Sequence, residues 1–305
     1  MSGPTPSPPP GPPPEHFPAP WASDWGEDPF GLWQAFTYQG VRQGFRWIPP
    51  TPQPFLMGSP VDEQGRSRDE RQHEVLLTRG YWLAETACTQ ALWEAVSGRN
   101  PSGFKGERRP VETVSWEDAQ GFIERLDAEL DAFVGRVASR SGTAMAAGHR
   151  SAQRTLPLRL PTEAEWEYAC RAGTTGPFSF GDDIAPGQAN YGSRETVDVA
   201  SLSPNPWGLY EMHGNVWEWC RDWYGDYPHG LVTNPVGPDS GGRRVLRGGS
   251  WFFEALLLRS AYRRHDDPGD RDRRFGFRLA LGPEPGPAGQ AGTERGRTAR
   301  DGSER

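Results

Sequence analysis

Apolar positions recur at helical spacing in three stretches of the chain. Thr89 precedes the first, in which Leu92, Trp93 and Val96 share a face until Gly98 ends it. Ser115, with Asp118 three residues on, opens a second whose Ala119, Phe122, Ile123, Leu126 and Leu130 fall at i+3/i+4 intervals. Thr162 and Glu165 form a similar pair before a third, which carries Trp166, Ala169 and Cys170 inward and stops at Gly173. Elsewhere the apolar runs shorten. Residues 80–85, 215–222, 244–251 and 275–281 predict strands bounded by Gly, Pro or Asn. The last alternates, with Phe275, Phe277, Leu279 and Leu281 on one face. In 215–222 the same period sets Trp217 and Trp219 against Val216, Glu218 and Cys220. Few helices, short strands and much irregular backbone predict an α+β domain.

Three segments lack such periods. Residues 128–155 are dominated by Ala, Ser, Gly and Arg and predict an inserted surface loop with a helical start. Residues 1–20 hold ten prolines, and after Met1 the only large apolar side chain is Phe17. That stretch is expected to be extended and mobile, its PxxP-like texture suited to an aromatic groove on a partner. Residues 282–305 contain no Val, Ile, Leu, Met, Phe, Trp or Tyr and predict a second disordered tail. One domain, 21–281, is left between them.

Composition narrows the class. With 13 Trp and 38 Gly among 305 residues, the chain is no helical bundle. Its 33 basic against 40 acidic residues give a net charge of -7, which provides no general field for nucleic acid. No run of 18 apolar residues exists to span a membrane, and no apolar leader opens the chain, so the cytoplasm is the expected compartment. Cys88, Cys170 and Cys220 are odd in number and widely spaced, unlike a disulfide framework.

Motifs in a fixed order then become recognisable. They include Phe55-Leu-Met-Gly-Ser59, Thr89-Gln-Ala-Leu-Trp93, Pro110-Val-Glu-Thr-Val-Ser-Trp116 and the run from Leu160 to Ala169. Asn205-Pro-Trp-Gly-Leu-Tyr210, Gly214-Asn-Val-Trp-Glu-Trp219, Arg247-Gly-Gly-Ser-Trp251 and Gly276-Phe-Arg278 complete the set. With these, residues 45–281 resemble the formylglycine-generating enzyme (sulfatase-modifying factor) family, whose fold is a variant of the C-type lectin fold. The resemblance implies an oxidase using two copper(I)-binding cysteines five residues apart. Those positions fall here on Phe253 and Leu258, so no copper is expected, although Ser250 matches an active-site serine. Iron-dependent relatives use a His-rich motif, and none of the six histidines pairs at i, i+4. The resemblance also implies a structural Ca2+ held by the side chains of Glu211 and Glu218 and the carbonyls of Gly214 and Val216.

Residues 252–274 keep a family frame at Arg259-Ser-Ala261, Arg263, Asp267-Pro-Gly269 and Arg271, yet between these the side chains follow no period. Such mixing is similar to the variable proteins of diversity-generating retroelements, whose lectin-like domain is rewritten at template adenines. Phe, Leu, Tyr, His, Asp and Arg all arise from an Asn codon ending in C by changing its two adenines, whereas Glu254 does not. The candidate ligand-binding residues are Phe252, Phe253, Glu254, Leu256, Leu257, Tyr262, Arg264, His265, Asp266, Asp270, Asp272, Arg273 and Arg274. Aromatic anchors with a charged rim suit a protein or other macromolecular ligand. The expectation is a non-enzymatic display protein; the alternatives are a formylglycine-generating oxidase acting on a sulfatase-like cysteine, and a scaffold recruited through the Pro-rich tail.

Overall fold

The computed structural model describes residue 5, residues 7–140, 157–283 and 286, without the side chains of 133–140. The three expected helices form where their caps are written. Thr89 Oγ1 accepts from the Leu92 amide at 3.2 Å ahead of Gln90–Ser97, and Gly98 turns left-handed at φ 72° to end it. Ser115 and Asp118 exchange two 3.0 Å bonds at the start of Trp116–Arg140. That helix runs through the first part of the expected insertion, of which 141–155 lie outside the described residues. Thr162 and Glu165 cap Glu163–Arg171, and Ala172 takes the left-handed φ of 47° one position before the Gly173 stop.

A six-stranded sheet runs in the order Asp24–Asp28, Gly31–Tyr38, Val41–Ile48, Tyr81–Ala84, Ala280–Leu281 and Leu158–Arg159. A four-stranded sheet orders Arg264–Asp266, Arg244–Arg247, Trp217–Trp223 and Phe275–Phe277, the last two parallel. Phe55–Met57, His73–Leu76 and Val232–Thr233 make a third, smaller sheet. Alternation along Trp217–Trp223 joins two cores. Trp217 and Trp219 pack with Trp93, Phe122, Phe275 and Phe277, while Cys220 on the opposite face packs with Trp166, Cys170 and Val245.

Two expectations are corrected. The strand foreseen over 275–281 breaks, so that Phe275–Phe277 pairs with Trp217–Trp219 and Ala280–Leu281 crosses to Trp82 and Leu83. The cause is Arg278 between them, fully buried, bonding Glu218, the Ala84 carbonyl at 2.8 Å and the Tyr210 carbonyl at 2.7 Å. Nor do residues 7–20 hang free. The Ser7 amide bonds Pro206 O at 3.0 Å, Trp47 Nε1 bonds Pro12 O at 2.9 Å, and Phe17 stacks on Trp82 at 5.8 Å. Proline's fixed φ lowers the entropy of ordering, and the indoles supply an aromatic surface that composition does not reveal. Residues 284, 285 and 287–305 of the second expected tail lie outside the described residues. Among the described residues no helix is long and apolar enough to cross a membrane.

Candidate binding site

The segment after Arg244–Arg247 turns on Gly248 and Gly249, at φ 94° and 78°. A Cβ on Gly249 would lie 2.7 Å from Leu258 Cδ1, so only glycine lets the two strands of the loop close together. Beyond the turn, burial separates two sets of side chains. Leu258, Arg259, Ser260, Ala261 and Arg263 are buried; Phe252, Glu254, Leu256, Asp270 and Arg273 are exposed.

Carboxylates from distant elements hold the buried set. Arg247 bonds Glu163 and Glu167 and also reaches the Ser260 carbonyl at 2.5 Å and the Ala261 carbonyl at 3.2 Å. Arg259 takes both oxygens of Glu70 at 2.8 Å, together with Glu63 and the Gly65 carbonyl. Arg263 grips Glu163 at 2.6 and 2.8 Å and the Asp69 and Gly225 carbonyls. Burial alone would raise Glu163, but the charges of Arg263 and Arg247 outweigh it and hold the carboxyl below its usual range. At nearby Asp222 burial, then the charge of Glu163, outweighs the lowering by the Glu163 amide and Arg263 and pushes the carboxyl up to about 8. Each buried arginine is thus matched by acids and by main-chain oxygens, which is what makes a buried charge tolerable.

Between the two sets, half-buried side chains lie over Trp217, itself buried. Phe253 meets that indole edge-on at 5.9 Å and Tyr262 tilts against it at 5.7 Å. Outward from Phe253 a chain of edge-to-face contacts runs through Phe252 and Trp251 to Phe104, each step 5.3–5.5 Å. Arg274 sits over both Phe252 and Phe253, at 5.8 and 5.3 Å, while Asp272 fixes its guanidinium through two 2.6 Å bonds. Arg264 lies over Trp217 and bonds Asp266 at 2.7 Å. Arg273 covers Phe104 at 5.8 Å. The result is a stepped aromatic face with three guanidinium groups laid on it, two of them carrying their own carboxylate.

Eight of the expected residues therefore meet: Phe252, Phe253, Tyr262, Arg264, Asp266, Asp272, Arg273 and Arg274. Glu254 starts, and Leu256 and Leu257 occupy, the single turn Ala255–Leu258, where Leu256 approaches Gly65. Asp270 stands in an exposed turn closed on Asp267. His265 is not on the face. Alternation in Arg264–Asp266 points it the other way, onto Tyr224 at 4.0 Å and Arg243 at 3.2 Å. Phe104 and Trp251 were not among the expected residues. Trp251 ends a motif read as scaffold yet is only half-buried, and Phe104 comes from a loop with no period to mark it.

The implied metals can be set against the donors present. Phe253 and Leu258 offer none, and Leu258 is fully buried among Phe178, Ile184 and Ala189. Copper(I), which needs soft sulfur ligands, does not fit. Ser250 is buried with its hydroxyl unpartnered, rather than bonded to backbone. Cys170 Sγ lies 3.7 Å from His213 Nε2 and from Ser260 Oγ, and burial pushes its thiol up to about 12, away from the thiolate form. In the calcium set the two side-chain carboxylates already have protein partners. Both oxygens of Glu218 are taken by Arg278 and by Trp166 Nε1 at 2.7 Å. Glu211 accepts instead from the amides of Ala200, Ser201 and Leu202, and burial pushes it up to about 7. Among the described residues no three His, Cys, Asp or Glu groups converge as for a metal.

Comparison with known proteins agrees with this architecture. The sulfatase-modifying factor enzyme 1-like domain matches residues 50–282. Variable protein 1 of Treponema denticola superposes with a TM-score of 0.68 at 31% identity, over 82% of this chain and 99% of that one. The formylglycine-generating enzyme of Streptomyces coelicolor is 33% identical over 218 residues, 62% of this chain and 60% of that enzyme. A serine/threonine-protein kinase, pkn1 of Chlamydia caviae, is 46% identical over 129 residues, 41% of this chain and 21% of the kinase. The chain thus spans about a fifth of that kinase and about three fifths of that enzyme.

Proposed function

The chain belongs to the sulfatase-modifying factor enzyme 1-like domain family, and from that premise we propose that it is a non-enzymatic binding protein of the diversity-generating-retroelement variable type. Its ligand is a protein or other macromolecule, met by the face over Trp217. One observation carries the reading: along 251–274 the buried Arg259 and Arg263 are locked to distant carboxylates, while exposed Phe252 and Arg273 and half-buried Phe253, Tyr262, Arg264 and Arg274 make an aromatic and guanidinium face. Such a design lets the outer side chains change while the loop keeps its path. Aromatic and Arg anchors are the side chains that dominate binding energy at protein surfaces. The likeness to a variable protein in fold and sequence supports the same reading.

The test is in the DNA. A near-copy of the coding sequence for 245–281, differing only at adenines and lying beside a reverse transcriptase, is the expected finding. A neighbourhood with a sulfatase and no such repeat would overturn the proposal.

The oxidase alternative draws on Ser250, retained with a free buried hydroxyl, and on the identity to a formylglycine-generating enzyme. It requires formylglycine to form when a cysteine peptide, copper(I) and oxygen are supplied. No aldehyde is expected by mass spectrometry.

A further inference from the structure

We propose that the groove floored by Trp47 and Trp82 is a recognition site for extended proline-rich segments, filled in this chain by its own residues 7–18. The segment crosses the domain in a definite order. Phe17 stacks on Trp82 with the rings 17° apart, and Pro12 O receives the Trp47 indole N–H at 2.9 Å. Gly11 abuts Pro49, and Pro10 helps line a cavity of about 340 Å3 with Phe55, Tyr168 and Trp207. The Ser7 amide closes the path on the carbonyl of Pro206. Trp47 and Trp82 are themselves in contact at 5.3 Å, so the groove floor is one continuous aromatic surface.

This chemistry fits proline in particular. A proline strand has carbonyls to offer and almost no N–H groups, so it needs donors from its receptor, and an indole N–H is such a donor. Its rings give flat apolar surface without much rotamer entropy, and aromatic grooves read it by that surface. In this chain the partner also carries an aromatic ring five positions after the proline whose carbonyl is bonded, Phe17 after Pro12.

The contacts are those of a bound segment, not of a core element. Ser7, Pro8, Pro10, Gly11, Pro12 and Pro13 remain exposed, with Pro9, Pro14 and Phe17 only half-buried. The first strand, Asp24–Asp28, takes its register wholly from Gly31–Tyr38 and uses nothing of residues 7–18. Trp21, by contrast, is buried against Phe36 and Phe45, and marks where the chain joins the core. The groove shares no residue with the face over Trp217, so the molecule holds two independent recognition surfaces.

The experiment keeps the full chain and inserts a specific protease site between Pro18 and Ala19. After cleavage, gel filtration should release the N-terminal peptide from a protein whose circular dichroism is unchanged. A fluorescent peptide of residues 5–18 should then rebind by anisotropy in the micromolar range. Trp47→Phe, which keeps the ring and removes the donor, should weaken binding about tenfold. A peptide with Pro9, Pro10, Pro12 and Pro13 replaced by Ala should lose it, a control that leaves the protein untouched. Retention of the cut peptide through gel filtration would overturn the proposal, and so would equal binding of the alanine peptide.

Discussion

His213 Nδ1 lies 2.7 Å from the carbonyl oxygen of Leu258. Nε2 of the same ring accepts from the Ser179 amide at 3.1 Å, so Nδ1 carries the proton and donates it. One buried imidazole thereby ties the turn bearing Glu254, Leu256 and Leu257 to the core beneath it.

That tie is sensitive to acid. Burial pulls His213 down to about 4, while the unfolded side chain titrates near 6.5. The unfolded state therefore takes up the proton first, and stability is intact above about pH 6.5 and lost as pH falls toward about 4. Urea denaturation should show a loss on the order of 3 kcal/mol across that window, and His213→Gln should lack it. The same slope in both proteins would assign the loss to other groups.

Face and frame should separate by magnitude. Phe252→Asn combined with Arg273→Asn changes exposed side chains and should alter unfolding free energy by no more than about 0.5 kcal/mol each. Arg263→Met strands Glu163 without one of its two arginines, and Trp217→Ala empties the floor of the face; each should cost about 3–5 kcal/mol. Chemical denaturation measures all three variants. A double Asn variant as unstable as Trp217→Ala would make the exposed set part of the core.

Chelation should leave the melting temperature unchanged, because Glu218 is already neutralised by Arg278. Glu218→Gln should lower it with or without chelator, since a lone buried guanidinium costs about 3–5 kcal/mol. A chelator-dependent melt in the wild-type chain would show that a cation does reach these oxygens.

Copper offers a gain-of-function check. Phe253→Cys with Leu258→Cys places thiols where the family resemblance expects them, and should confer copper(I) binding in competition with a chromophoric chelator. The wild-type chain should take up none. Equal uptake by both would locate soft ligands elsewhere, Cys170 first among them.

Local chemistry was legible in the sequence. Thr89, Ser115 and Thr162 announce their helices because a cap needs only a side chain and an amide three residues away. The two-faced strand at Trp217–Trp223 was equally plain, since alternation is a property of the backbone. The break between Phe277 and Ala280 was not, because it depends on Arg278 reaching Glu218, Ala84 and Tyr210 from three other parts of the chain. His265 was placed on the wrong side for a related reason. A three-residue strand is too short to show a period in sequence, and which way it faces is set by its pairing with Arg244–Arg247 and by the contacts of His265 with Tyr224 and Arg243. The proline-rich segment shows the limit of composition, which describes a segment but not the indoles waiting for it.

The buried ion pairs beneath the face are all of one sense. The buried cations inside 251–274 are Arg259 and Arg263, and the acids that pair with them, Glu63, Glu70 and Glu163, are supplied from elsewhere in the chain. The genetic code gives that asymmetry a meaning. Arginine can be spelled with C and G alone in its first two letters, and Leu258, Ser260 and Ala261 likewise need no A there. Aspartate and glutamate always need one. Where they are so spelled, a process that rewrites adenines would pass over Leu258, Arg259, Ser260, Ala261 and Arg263, while a buried glutamate in the same stretch would always be open to it.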